Sequence, residues 1–100
     1  MRVELSPLVL SDLEAIGDYI ARDNPRRAVS FVREIRAKFR QIGKGPLRYR
    51  LRPEIGRDAR LAVAGQYVIL FRVIDSVVRV ERVVFGGRNL PEVLEQCLND

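Results

Sequence analysis

Residues 57–89, RDARLAVAGQYVILFRVIDSVVRVERVVFGGRN, decide how this chain folds. They read as three β-strands, Asp58–Ala64, Tyr67–Ile74 and Val77–Phe85, joined by very short connections at Gly65-Gln66 and Asp75-Ser76. A two-residue turn at Gly65-Gln66 pairs Ala64 with Tyr67, Ala62 with Ile69 and Arg60 with Phe71. The same turn at Asp75-Ser76 sets Arg72 opposite Arg79, an unfavourable pairing of like charges. A loop one residue longer, shifting the register, is the preferred expectation; the alternative is two cations converging on a bound anion. The middle strand is apolar almost throughout except at Arg72, as for a strand buried on both faces. Such a sheet has an apolar face that water penalises, so upstream helices must cover it.

Working upstream, Gly43–Gly56 carries three glycines and two prolines and reads as an irregular crossing segment. Within it Leu47-Arg48-Tyr49-Arg50-Leu51-Arg52 alternates apolar and cationic residues. A short edge strand pinned to the core is favoured there over an aromatic stacking on a nucleic-acid base. Before it, Asn24 caps a helix whose first residue is Pro25; Ala28, Phe31, Val32, Ile35, Phe39 and Ile42 form its apolar stripe, and Gly43 is expected to end it as a left-handed C-cap. Asn24-Pro25 also stops an earlier helix that starts at Ser6-Pro7 or at Ser11-x-x-Glu14, with Leu10, Leu13, Ile16, Tyr19 and Ile20 on one side. A break this tight makes the two helices an antiparallel hairpin. Met1–Ser6 alternates as a strand does. Downstream, Phe85-Gly86-Gly87 closes the last strand, and Pro91-Glu92 opens a short helix carrying Val93, Leu94 and Leu98.

One hundred residues suffice for one domain, 1–100, with 47% hydrophobic and 31% charged residues, a globular composition. No apolar run approaches the roughly 20 residues a membrane span needs, and MRVELSP has no signal-peptide core, which places the protein in the cytoplasm away from membranes. The lone Cys97 suits that compartment. With one cysteine and no histidine the chain cannot form a Cys-His dyad, a Ser-His-Asp triad or an ordinary zinc site, and nothing in it calls for a cofactor.

The net charge of +5 is uneven. Residues 1–43 hold eight basic and six acidic side chains, residues 44–88 ten and four, and residues 89–100 three acids and no base. The sheet half is therefore read as the electropositive half, suited to an acidic partner. Sixteen of the eighteen cations are arginine, which pairs bidentately with phosphate or carboxylate; a solvated surface explains any single one equally well.

The order βααβββα, with SPLVLSDLEAIGDYIARDNP at residues 6–25, RPEIGRDAR at 52–60, QYVILFRV at 66–73 and RVVFGGRNL at 82–90, resembles the RelE/ParE toxin superfamily, and within it the ParE branch. The resemblance implies an α+β fold, an antiparallel sheet covered on one face by an αα-hairpin. It further implies a type II toxin neutralised by a ParD-like antitoxin, poisoning DNA gyrase without enzymatic activity, and meeting operator DNA only through the antitoxin.

The RelE branch instead cleaves messenger RNA on the ribosome. Its central-strand arginine corresponds to Val68 and its C-terminal tyrosine roughly to Leu94, while Arg88 matches one of its catalytic cations. The ParE pattern often has a histidine where this chain has Phe85. No catalytic residue is therefore assigned. Arg60, Arg72, Arg82 and Arg88 are the expected target-binding cations, each with an alternative in a salt bridge to Glu81, Asp58 or a C-terminal acid. Leu10, Leu13, Ile16, Tyr19 and Ile20 are the expected antitoxin-binding residues, the alternative being plain core, with Tyr19 the member expected to protrude. A basic interaction domain without toxicity is the third reading.

Overall fold

The computed structural model describes residues 1–98. The elements follow as β1 (Arg2–Leu5), α1 (Pro7–Ala21), α2 (Pro25–Lys44), a single 3-10 turn at Pro46–Arg48, β2 (Ala59–Ala64), β3 (Tyr67–Ile74), β4 (Val77–Phe85) and α3 (Leu90–Leu98). The three-strand meander pairs antiparallel in the expected register from Ala64↔Tyr67 to Arg60↔Phe71. The first strand departs from an all-antiparallel sheet. β1 lies parallel to β4, giving the order β1-β4-β3-β2 and a mixed sheet. The helical hairpin between β1 and the meander supplies the length that a parallel crossover requires.

α1 and α2 cover one face. Val9, Leu13 and Ile16 from the first helix and Phe31, Ile35, Phe39 and Ile42 from the second meet Ile69, Phe71, Val78, Val80 and Val83 in one buried cluster. Burial of a side chain the size of Phe71 or Ile35 contributes about 1.5–3 kcal/mol. The opposite face has a smaller core, where α3 lays Val93 and Leu94 over Val68, Leu70, Val84, Ala59 and Ile55. This is why β3 reads as apolar on both sides. Leu98 stays exposed.

The structure corrects three local expectations. The β3–β4 connection keeps its two-residue turn, with Asp75 and Ser76 both left-handed (φ 51° and 63°), so Arg72 does stand opposite Arg79. The register instead shifts between Leu70 and Phe71, where a bulge leaves Glu81 unpaired between Arg82 and Val80. Second, Gly43 is not a left-handed cap: α2 runs on to Lys44, with Gly45 (φ −160°) beyond it. Gly43 is glycine because the N-terminus crosses there. A Cβ would lie 2.7 Å from Val3 Cγ2, and the Met1 ammonium donates to the Gly43 carbonyl at 2.7 Å. Third, residues 47–52 form no edge strand. Leu51 makes an isolated bridge to Arg60, Leu47 and Leu51 face solvent, and only Tyr49 reaches the core, edge-on to Phe71 at 5.5 Å between ring centroids.

Candidate functional site

The arginines of the sheet are built into it. Glu81, bulged out of the β4 ladder and 2% exposed, accepts from Arg72 Nε at 3.1 Å and from Arg79 Nε at 2.9 Å. The expected clash is thus resolved by an internal anion, and the carboxylate holds the Arg79 guanidinium pKa above its ordinary value. Beside this triad lies an open cavity of about 570 Å³, bordered by Arg2, Glu4, Arg72, Arg79 and Cys97. The Cys97 thiol is pushed up, by burial first and the Glu81 charge second, which keeps it protonated and unreactive.

Arg82 is engaged in a second way. It grips Asp12 of α1 with both oxygens at 2.8 Å, and Asp12 Oδ2 also accepts from the Val83 backbone N–H at 3.0 Å. The physical need is plain: β1 ends at Leu5, so the β4 edge beyond Val80 has no strand beside it. The Ser6 backbone N–H donates to the Val80 carbonyl (2.9 Å), Ser6 Oγ to the Glu81 carbonyl (2.6 Å), and Asp12 takes the next donor. Of the two starts that the sequence offers, the helix takes Ser6-Pro7, but the Ser6 hydroxyl is spent on the sheet edge and does not cap α1.

Arg60 donates to the Tyr49 carbonyl and fastens the crossing segment to β2. Of the four arginines expected to meet a target, only Arg88, at the entry to α3, is exposed and without a side-chain partner among the described residues. Arg72 has the Glu81 partner that the sequence allows as an alternative. Arg82 turns to Asp12, seventy residues away, which no local pattern reveals. Asp100 lies outside the described residues.

The residues expected to meet an antitoxin divide in two. Leu13 and Ile16 belong to the core and Ile20 packs against it, whereas Leu10 (58% exposed) and Tyr19 (64%) project outward. Leu10 borders a groove of about 650 Å³ along the outer seam of the hairpin, with Leu13, Val29 and Val32 on its floor and walls and Glu14, Asp18, Arg33 and Arg36 at its rims. Val29, exposed on α2, is a groove residue that reading α1 alone misses. Gly17 leaves the seam open, since a Cβ there would reach only Val32, at 3.6 Å.

Residues 3–90 match the family model described as the ParE toxin of type II toxin-antitoxin system, parDE. The chain belongs to the ParE toxin family. A solved structure titled "Chromosomal ParDE TA system from P. aeruginosa" is similar in fold to this ParE-family chain, with a TM-score of 0.76 at 19% sequence identity over 85% of this chain and 95% of that one. No curated protein matches by sequence. The positions that distinguish the RelE branch have a clear place in this ParE-type fold. Val68 on β3 and Leu94 on α3 lie in the same buried cluster, and Phe85, the position compared with a histidine of the ParE pattern, is exposed, edge-on to Tyr67 at 6.1 Å. Among the described residues no helix is long and apolar enough to cross a membrane, and no group of His, Cys, Asp or Glu could hold a metal ion.

Proposed function

We propose that this toxin works in the cytoplasm as a non-enzymatic inhibitor of DNA gyrase, restrained by a ParD-like antitoxin that docks in the outer hairpin groove and carries operator recognition. The observation that supports a binding mode of action is the fate of the ionisable side chains at the sheet. Asp12 and Glu81, its two most buried carboxylates, are each held by arginine, and the chain has no histidine. A general base or acid needs a proton-accepting group that is free to reach substrate and poised near neutral pH. Two of the aligned ribonuclease positions, Val68 and Leu94, are apolar and covered and only Arg88 keeps its cation, which favours inhibition over RNA cleavage.

The test is a supercoiling and DNA-cleavage assay with purified gyrase. Loss of supercoiling together with accumulation of cleaved complex is expected; unchanged supercoiling, with codon-phased cuts in messenger RNA instead, would overturn the reading. The groove supports a partner segment that is disordered alone and folds on binding, with apolar side chains toward Leu10, Val29 and Val32. Exchanging Leu10 and Val29, the exposed apolar residues of the groove, for acidic residues should weaken antitoxin binding by at least tenfold while the fold is retained; Tyr19 lies outside the groove lining, and its exchange should have the smaller effect. Unchanged affinity would remove Leu10 and Val29 from the interface.

A further inference from the structure

The charge that the sheet keeps inside, α2 displays outside. Its twenty residues hold seven cations and one acid, and that acid, Glu34, is taken by Arg27 at 2.8 Å. At 100° per residue, Arg26, Arg33, Arg36, Arg40 and Lys44 fall within an arc of about 80°. The buried stripe of Ala28, Phe31, Ile35, Phe39 and Ile42 lies on the opposite side of the helix. All five cations are exposed, and among the described residues none has an ion-pair partner. Within α2 no acid stands three or four residues from Arg26, Arg33, Arg36, Arg40 or Lys44, the spacing that would soften their mutual repulsion. The row runs for about 27 Å at 1.5 Å per residue.

We propose that this ridge is a docking surface for the phosphate backbone of duplex DNA, bound without regard to sequence. Charge complementarity supplies the reason: a duplex carries one negative charge per about 1.7 Å of its axis, and a straight, convex row of cations neutralises several at once. Val29 lies within the arc of cations and Ser30, Ala37 and Gln41 flank it; all are small or uncharged and let a backbone approach closely. No aromatic side chain lies among them, so the surface suits phosphates and not the stacked bases of a single strand. An acidic protein partner would need an apolar anchor at the centre of its contact; the exposed apolar side chain in this arc, Val29, stands toward one end, and the line from Arg33 through Arg40 to Lys44 has none. This grip is separate from operator recognition and does not depend on gyrase being the target.

Fluorescence anisotropy of the purified chain with a labelled 20-base-pair duplex of arbitrary sequence tests it. Five phosphate contacts give a slope of log K against log salt of about −4.5, hence a loss of about 500-fold between 50 and 200 mM salt. Arg33→Gln combined with Arg40→Gln should lower affinity at 50 mM at least tenfold and flatten the slope by about 2. The charge-matched control, Arg2→Gln with Arg52→Gln, removes two cations that already have acid partners and should change binding less than threefold. Equal losses in the two variants, or no binding at 50 mM salt, would overturn the proposal. So would polyglutamate competing as well as duplex at equal charge concentration, which would mark the ridge as a surface for acidic protein.

Discussion

The arginines of the sheet and the arginines of α2 are one residue type in two opposite states. Arg72, Arg79 and Arg82 are fixed by Glu81 and Asp12 at distances of 2.8–3.1 Å, and their fork geometry knits strands to each other and to α1. Arg26, Arg33, Arg36 and Arg40 hold nothing and are held by nothing among the described residues. An arginine beside a buried carboxylate is part of the fold, because leaving that carboxylate unpaired is costly. An arginine on a helix crest that no carboxylate holds is available to a partner. Net charge by itself does not separate the two.

The comparison can be broken most forcefully at Glu81. Glu81→Ala leaves Arg72 and Arg79 facing each other without their anion, and should cost about 3 kcal/mol in urea unfolding. Leucine at positions 72, 79 and 81 together should recover most of that loss, since replacing a whole ion cluster by apolar groups is often close to neutral. If Glu81→Ala is harmless, the sheet arginines are no more structural than those of α2. Asp12→Ala should cost about 2 kcal/mol by removing a bidentate partner and orphaning the Val83 N–H; Asp12→Asn, which can still accept from that N–H, should fall between. Ser76→Gly sharpens the comparison from the side of the turn that brings Arg72 and Arg79 together. Relief of a left-handed serine should raise stability by about 0.5–1 kcal/mol. Smallest of all, Arg33→Gln with Arg40→Gln should stay within about 0.5 kcal/mol of the parent in the same unfolding experiment.

The sequence made the strands legible because alternation and turn residues agree: Gly65 takes φ +60°, and the Ala64↔Tyr67 pairing follows at once. It made the hairpin legible through Asn24-Pro25, whose side chain does accept from the Arg27 N–H at 3.1 Å. What it hid depends on contacts between distant positions. The clash of Arg72 with Arg79 pointed to a longer loop because the bulge that swings Glu81 between them cannot be seen from alternation alone. Gly43 reads as a terminator and is instead a crossing point inside α2, since the residue that crowds it is Val3. Counting charge by halves of the chain joined the acids of α1 to the cations of α2, and so hid the seven cations and one acid of the second helix.

Because the first strand is completed only by the last, most of this molecule has to leave the ribosome before its earliest residues find their seats. Ser6 waits for Glu81, and Asp12 for Arg82 and Val83. At about 5–20 residues per second, the nascent helices remain without their sheet for several seconds of translation. Throughout that interval the inner apolar stripe of the hairpin stays open to any partner already present in the cell, so cotranslational capture and final folding compete for the same surface.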